Sequence, residues 1–336
     1  DEYSKIKYDF KISNNQFLKI SYLEENYYKY NYYPYYYSEN EYIYSPAEFL
    51  NGTLFRKEMN FHYSSNNIKY KRLIGMEFYD ENYSSFNIYE PNGDVLQESI
   101  FEGQNSIKKD KNSSLYFYQE RNLNISNILS LGLRIQNISK NEIVLPSLSY
   151  LIKKNNDYNY RISYSSGYRN PSIKERYYFW QDHEGGPAIL GNPDLKPTKN
   201  NYYSFSIDKR SFVNDFSVDF YRNDITDMIS TQYAYNESGE NLQLEYRNYD
   251  NVIINGFNVH YYRKITDDIK LKFVYNFTDP ISDSDEILEG ISKHSLRFSF
   301  SYMLFNKFNL VANVKYAGKK FIFDQEQAAV GDEGIK

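Results

Sequence analysis

Residues 158–165 read Tyr-Asn-Tyr-Arg-Ile-Ser-Tyr-Ser, a stretch in which apolar and polar side chains alternate strictly. Alternation with a period of two is the pattern of a β-strand with one apolar and one polar face. An α-helix would instead place its apolar residues three or four positions apart. This stretch therefore predicts a strand, and the fold class depends on whether the pattern recurs.

The same alternation recurs along the whole chain, in about 14 segments. Clear examples are 129–135, 203–207, 216–220, 298–304 and 310–316. Short polar turns near 13–15, 65–68, 125–127, 154–157, 212–214, 266–268 and 306–307 alternate with mostly longer stretches near 34–52, 88–112, 170–200, 231–241 and 280–291. Short turns at one rim and long loops at the other are typical of an antiparallel outer-membrane barrel.

Composition agrees with an aromatic-rich all-β protein. Aromatic residues make up 19% of the 336 residues, and 39 Tyr and 23 Phe favour strands and membrane interfaces. The polar face of the alternation is rich in Ser, Asn, Asp and Arg, which suits the hydrated lumen of a wide barrel while the apolar face meets lipid. A soluble β-sandwich remains the alternative at this point.

Two short motifs flank one of the long loops. Residues 168–171 read Tyr-Arg-Asn-Pro and residues 191–197 read Gly-Asn-Pro-Asp-Leu-Lys-Pro. The pair resembles the two boxes of TonB-dependent outer-membrane receptors, in which the first box closes a strand and the second opens the next one. The residues that carry the resemblance are Tyr168, Arg169, Pro171, Asn192, Pro193, Asp194 and Leu195. Their prolines and the Gly-Asn pair favour a structural role over ligand contact.

The resemblance implies an antiparallel transmembrane β-barrel in the bacterial outer membrane. Receptors of this family have about 22 strands and an N-terminal plug that binds the inner-membrane protein TonB. About 14 strands and no plug are visible here, so the chain is expected to be an incomplete barrel portion over 1–323 with an irregular tail over 324–336. The implied partners are outer-membrane lipid and TonB, and a surface lipoprotein stays open as a further partner.

The resemblance also suggests a ligand. Haem receptors of this family carry a His in the loop between the two boxes, and His183 lies there. A neutral imidazole is a good axial ligand for haem iron, and Tyr177, Tyr178 and Trp180 are expected to stack on the porphyrin or to offer a phenolate. Haem would then be cargo, with no intrinsic cofactor. Siderophore or cobalamin uptake and a passive porin-like channel remain alternatives.

Other functions find little support in the residues. The net charge of −5 is spread along the chain without a basic stripe, which argues against nucleic acid as a partner. No nucleophile elbow, phosphate-binding glycine loop or paired His on a helix is present, so no enzyme activity is predicted. The four His show no zinc-ligand spacing.

Overall fold

The structure is a computed structural model that describes residues 2–38, 41–85, 88, 106–138, 141–154, 157–180, 188–211, 213–235, 242–282, 290–305 and 307–320. These residues form strands and one short helix, which confirms the all-β prediction. The strands are β1 (Glu2–Ser13), β2 (Gln16–Ser38), β3 (Glu41–Asn66), β4 (Tyr70–Ser85), β5 (Ser106–Asn122), β6 (Asn127–Ile138), β7 (Asn141–Lys154), β8 (Tyr158–Arg169), β9 (Phe179–Trp180), β10 (Ala188–Leu190), β11 (Thr198–Lys209), β12 (Asn214–Tyr235), β13 (Leu242–Lys264), β14 (Ile269–Ser282), β15 (His294–Leu304) and β16 (Phe308–Ala317). The helix α1 covers Ile173–Tyr177.

All strands belong to one sheet, ordered β1 to β8 and then β11 to β16, with each long strand antiparallel to its neighbour in sequence. The short strands β9 and β10 lie off this path, so the long strands number 14, as the alternation predicts. Among the described residues β1 and β16 do not pair with each other, and the barrel is not closed. None of the described helices is long and apolar enough to cross a membrane.

One face of the sheet is a continuous apolar surface. Register pairs Phe61 with Met76, Met76 with Leu115, and Leu115 with Ile135 across four successive strands. Farther along the same face, Phe205 of β11 pairs with Phe220 of β12. Met76, Leu115, Ile135 and Phe220 remain 40–49% exposed. A water-exposed patch of this extent would be costly, whereas lipid would stabilise it.

The opposite face is polar and carries hydroxyl groups in register. Ser149 pairs with Ser130 on one side and Ser163 on the other, and Ser163 pairs in turn with Ser204 of β11. The Ser149 and Ser163 hydroxyls are hydrogen bonded at 3.0 Å. This arrangement is the expected lining of a hydrated lumen.

One predicted loop is a hairpin instead. The sequence pattern predicted a long connection over 34–52, but β2 continues to Ser38 and β3 begins at Glu41, with the two backbones paired almost to their ends. Tyrosine favours extended backbone, so this tyrosine-rich segment continues the ladder.

The tail predicted over 324–336 lies outside the described residues. The 1–323 barrel portion remains a prediction as a domain boundary, since the described chain ends at residue 320.

Candidate functional site

The described parts of the connection between β8 and β11, residues 170–180 and 188–197, lie over the polar face and are together called the strap below. It holds α1, β9 and β10. In the described part of the chain, buried apolar side chains concentrate in and around it. They are Ile88, Ile173, Ala188, Leu195, Ile225, Ile229, Tyr249 and Val252. The strap is therefore a packed element.

The first motif leads directly into α1. Ser172 is the N-cap, and its hydroxyl accepts from the Glu175 amide while the Glu175 carboxylate accepts from the Ser172 amide at 2.8 Å. Arg169 donates to both carboxylate oxygens of Glu175 at 2.8 Å. Pro171 and Ile173 are buried beneath this network. The capping box and the bidentate arginine thus fix the direction in which the chain leaves β8.

The first half of the strap is attached to β5. The Arg176 guanidinium lies 3.1 Å from the Asp110 carboxylate, and the two side chains are only 15% and 11% exposed. Asn170 donates to the same Asp110 oxygen at 3.4 Å. Tyr178 forms an isolated backbone bridge with Ile88, beyond the end of β4. The first half of the strap therefore runs from the end of β8 past β7 and β6 to β5.

The second motif attaches the other half to β12 and β13. The side-chain oxygen of Asn248 accepts from the Lys196 backbone amide at 2.8 Å. The side-chain nitrogen of Asn248 donates to the backbone carbonyl oxygens of Lys196 at 2.9 Å and Asp227 at 2.8 Å. Asn192 accepts from the Asp194 amide at 2.9 Å, which closes a local turn. Leu195 is buried, and β10 pairs with β13 in parallel.

The two motifs also pack against each other. The Gly191 amide donates to the Tyr178 carbonyl at 2.6 Å, and the Asn192 amide donates to the Glu175 carbonyl at 2.9 Å. A Cβ on Gly191 would lie 2.6 Å from the Tyr178 nitrogen, so only glycine fits this approach. The motif residues accordingly hold the strap together, and Pro193 and Asp194 lie at its partly exposed turn.

Cations and aromatic rings alternate on the first half of the strap. The Lys108 ammonium lies 4.5 Å and the Arg176 guanidinium 5.4 Å from the Tyr177 ring centre. The Lys174 ammonium lies 4.7 Å from the Tyr178 ring centre. We call these five residues the mouth cluster. Aromatic rings with cations within cation–π distance form a surface suited to an anionic aromatic ligand.

The predicted ligand residues have different surroundings. Burial raises the pKa of the Tyr178 phenol, with smaller contributions from the phenols of Tyr83 and Tyr246. A phenol whose pKa is raised is protonated at neutral pH, so ligation of iron through Tyr178 would require the loss of that proton. Trp180 pairs with Ile189 between β9 and β10 and is 40% exposed. His183 lies outside the described residues.

The remaining His do not form a metal site. Within the described ranges there is no cluster of three or more His, Asp or Glu side chains able to hold a metal ion. His62 is hydrogen bonded to the Tyr116 hydroxyl, and His294 to the Tyr275 hydroxyl at 2.8 Å. These contacts give both imidazoles a partner within the sheet.

Below the strap, the polar face of β3 to β6 lines a cavity of about 630 Å³ together with residues 168–173. Glu77 lines this cavity and lies 2.6 Å from the Arg134 guanidinium and 3.2 Å from the Ser114 hydroxyl. Tyr168 also lines it. The cavity is polar and open, as expected for space inside a barrel.

Sequence reasoning missed the residues that hold the strap. Asp110 and Lys108 belong to β5, and Asn248 to β13, where nothing in the local pattern distinguishes them from other polar positions. A signal was present for Lys174 and Arg176, because both lie within three residues of Tyr177, one of the two tyrosines already singled out.

Comparison with known proteins agrees with this geometry. The family model described as "TonB dependent receptor-like, beta-barrel" matches residues 1–333. No significant match is found among curated proteins.

Three solved structures show a similar fold. The siderophore receptor PirA from Acinetobacter baumannii is 15% identical, with a TM-score of 0.68, and the match covers 95% of this chain and 50% of that one. A variant of the ferric enterobactin receptor from Pseudomonas aeruginosa, in complex with enterobactin, is 13% identical with a TM-score of 0.69, covering 95% and 50%. The ferric-catecholate import receptor Fiu from Escherichia coli K12 is 13% identical with a TM-score of 0.65, covering 99% and 55%. The chain thus spans about half the length of the structures it matches.

Proposed function

The chain belongs to the TonB-dependent receptor family, and from this we propose that it forms the barrel portion of a transporter that captures an iron chelate outside the cell and imports it. Members of the family are outer-membrane proteins of Gram-negative bacteria and transporters, which confirms the predicted location and the prediction of no enzyme activity. Such barrels carry no intrinsic cofactor, as predicted, and their ligands are cargo.

The mouth cluster supports an anionic, aromatic ligand. Lys108, Lys174 and Arg176 supply positive charge, and Tyr177 and Tyr178 supply aromatic faces at the strap. A ferric catecholate siderophore combines negative charge with aromatic rings, so it matches both features. The names of the similar structures, which are siderophore and ferric-catecholate receptors, support the same class.

Haem is the second candidate, because His183 lies between the two motifs in sequence. Haem is also a planar aromatic iron chelate with two carboxylates, so the mouth cluster suits it as well. In this arrangement His183 is the axial ligand, and Tyr177, Tyr178 and Trp180 pack around the porphyrin. Tyr178 stacks as a neutral phenol, because burial raises its pKa.

The remaining parts of the transporter are proposed by analogy with the family. A plug and a TonB-binding segment outside this sequence would gate the lumen and receive the energy. A surface lipoprotein that hands over ligand is compatible with the exposed strap, and cobalamin is the remaining ligand alternative. A passive channel would need neither plug nor TonB.

The test is a titration of the full-length receptor in detergent with two probes, ferric tris-catecholate and haem. We expect quenching of intrinsic fluorescence by the catecholate complex, weakened about tenfold when Lys174→Gln removes one mouth cation. Lys111→Gln is the matched control, because Lys111 pairs with Asp80 on the lipid side of the wall. A Soret shift with haem that is lost in His183→Ala would instead favour haem.

Radioactive iron uptake then separates transport from passive flow. Cells that express the receptor should take up the bound probe only when TonB is present. Uptake that is equal with and without TonB would rule out the proposed mechanism and favour a porin-like channel.

A further inference from the structure

We propose that Asp110, a residue of the β5 wall outside the mouth cluster, is a positioning residue that holds the first half of the strap across the mouth through Arg176. The consequence for ligand affinity rests on the proposed function. The position of the strap itself can be measured without any ligand.

The contact between wall and strap is a shielded ion pair. Asp110 accepts from Arg176 at 3.1 Å and from Asn170 at 3.4 Å. The Arg176 side chain is 15% exposed and that of Asp110 is 11% exposed. Salt screens such a pair only weakly, and removal of the Asp110 carboxylate takes the opposite charge away from the shielded Arg176 guanidinium. The attachment therefore depends strongly on the carboxylate.

The two halves of the strap are attached to different strands of the wall, and they are joined to each other by the Gly191 and Asn192 amides and by the pairing of β9 with β10. The second half is fixed by the Asn248 hydrogen bonds and by the pairing of β10 with β13, and Asp110 takes part in neither. The first half reaches β5 through Arg176, Asn170 and the ring of Tyr177, which lies under Lys108. Loss of the Asp110 charge should accordingly loosen residues 170–180 from β5, while residues 188–197 stay in place on β13.

Release of the first half would take the mouth cluster apart. Lys108 stands two residues before Asp110 on β5, so the wall supplies both the anchor and one of the cations. Arg176, Tyr177 and Tyr178 move with the strap, and Lys108 would lose the Tyr177 ring. Asp110 thereby determines the arrangement of ligand-facing groups.

Strap position is tested on the folded full-length receptor by two ligand-free measurements. One is acrylamide quenching of Trp180, obtained by difference against Trp180→Phe, and the other is the rate of tryptic cleavage after Lys174 and Arg176. In Asp110→Asn we expect cleavage after Lys174 to be about tenfold faster or more, and Trp180 to be more accessible. Asp110→Glu should restore the wild-type rate.

The matched control is Asp80→Asn, which removes the same charge from the adjacent strand. Asp80 pairs with Lys111 at 2.9 Å, and Lys111 is 70% exposed. This surface pair is worth little and is remote from the strap, so cleavage and quenching should stay at wild-type values. Arg176→Gln offers an independent route to the same released state if Asp110→Asn fails to fold.

The ligand measurement follows the same variants with ferric tris-catecholate. We expect Asp110→Asn to weaken binding about tenfold in the wild-type background and to have almost no effect when Arg176→Gln is already present. Wild-type cleavage and quenching in Asp110→Asn, or fully additive effects of the two substitutions, would overturn the positioning role. A released strap in a receptor whose wild type binds neither catecholate nor haem would uphold that role and refute the proposed ligand class.

Discussion

Gly75→Ala should destabilise the barrel wall, because Gly75 is buried on the polar face of the sheet. Gly75 lies in register between His62 on β3 and Tyr116 on β5. The Tyr116 ring crosses over Gly75, and its hydroxyl is hydrogen bonded to His62. A methyl group at position 75 would overlap that ring and would lie 2.8 Å from the Phe61 carbonyl oxygen.

The expected loss of stability follows from the displacement of the Tyr116 ring. Moving the ring breaks one hydrogen bond, which costs about 1 kcal/mol. Forcing a methyl group against the ring and the Phe61 backbone costs a further 1–3 kcal/mol or so. We therefore expect the free energy of unfolding to fall by about 2–4 kcal/mol. Tyr116→Phe removes only the hydrogen bond and should lose about 1 kcal/mol.

A second glycine of the sheet, Gly256, is also covered by a tyrosine ring. Gly256 lies in register between Tyr221 and Thr278, and the Tyr221 hydroxyl is hydrogen bonded to the Thr278 hydroxyl at 3.0 Å. Gly256→Ala should therefore lose a similar amount. Gly318→Ala is the control, because its methyl group would meet neighbours no closer than 3.3 Å.

The assay is denaturant unfolding of the detergent-solubilised receptor, with heat-dependent gel mobility as an independent check of folding. Tyr116→Ala combined with Gly75→Ala should recover part of the loss, because the space above the glycine is then open. The prediction would be wrong if Gly75→Ala and Gly256→Ala lowered the free energy of unfolding no more than Gly318→Ala does. The tyrosine rings would then tolerate a methyl group at these positions.

Three further predictions concern the strap. Asn248→Ala removes three hydrogen bonds to Lys196 and Asp227 and should cost about 3 kcal/mol, measured by the same unfolding assay; a change below about 1 kcal/mol would mean that β10 alone holds this half. Glu175→Gln removes the charged partner of Arg169 and should increase tryptic cleavage in the first half of the strap, and unchanged cleavage would argue against the capping box as its support. Tyr178→Phe should leave the spectrum of bound haem unchanged, because burial raises the pKa of this phenol and keeps it protonated; loss of a charge-transfer band in this variant would identify Tyr178 as a phenolate ligand.

Local sequence patterns were sufficient to predict the strands that form the wall of the barrel. Side chains of a strand point alternately to two faces, so a period of two in the sequence predicts both the strand and its lipid and lumen sides, as in 158–165. The two motifs around the strap were likewise readable, because proline and Gly-Asn restrict the backbone through neighbouring residues alone. The hairpin over 34–52 was misassigned since its tyrosine-rich segment lacks a regular polar partner at every second position.

The strap's position could not be read from the sequence, because it depends on contacts between distant residues. Arg176 meets Asp110 across 66 residues, and Lys196 meets Asn248 across 52. Nothing near Asp110 or Asn248 marks either residue, since any polar residue on the lumen face satisfies the alternation. By itself the sequence determined a membrane barrel wall and the ends of its longest described loop. Only the tertiary structure decided which strands that loop crosses, because a strand's register and curvature bring together groups that no local period relates.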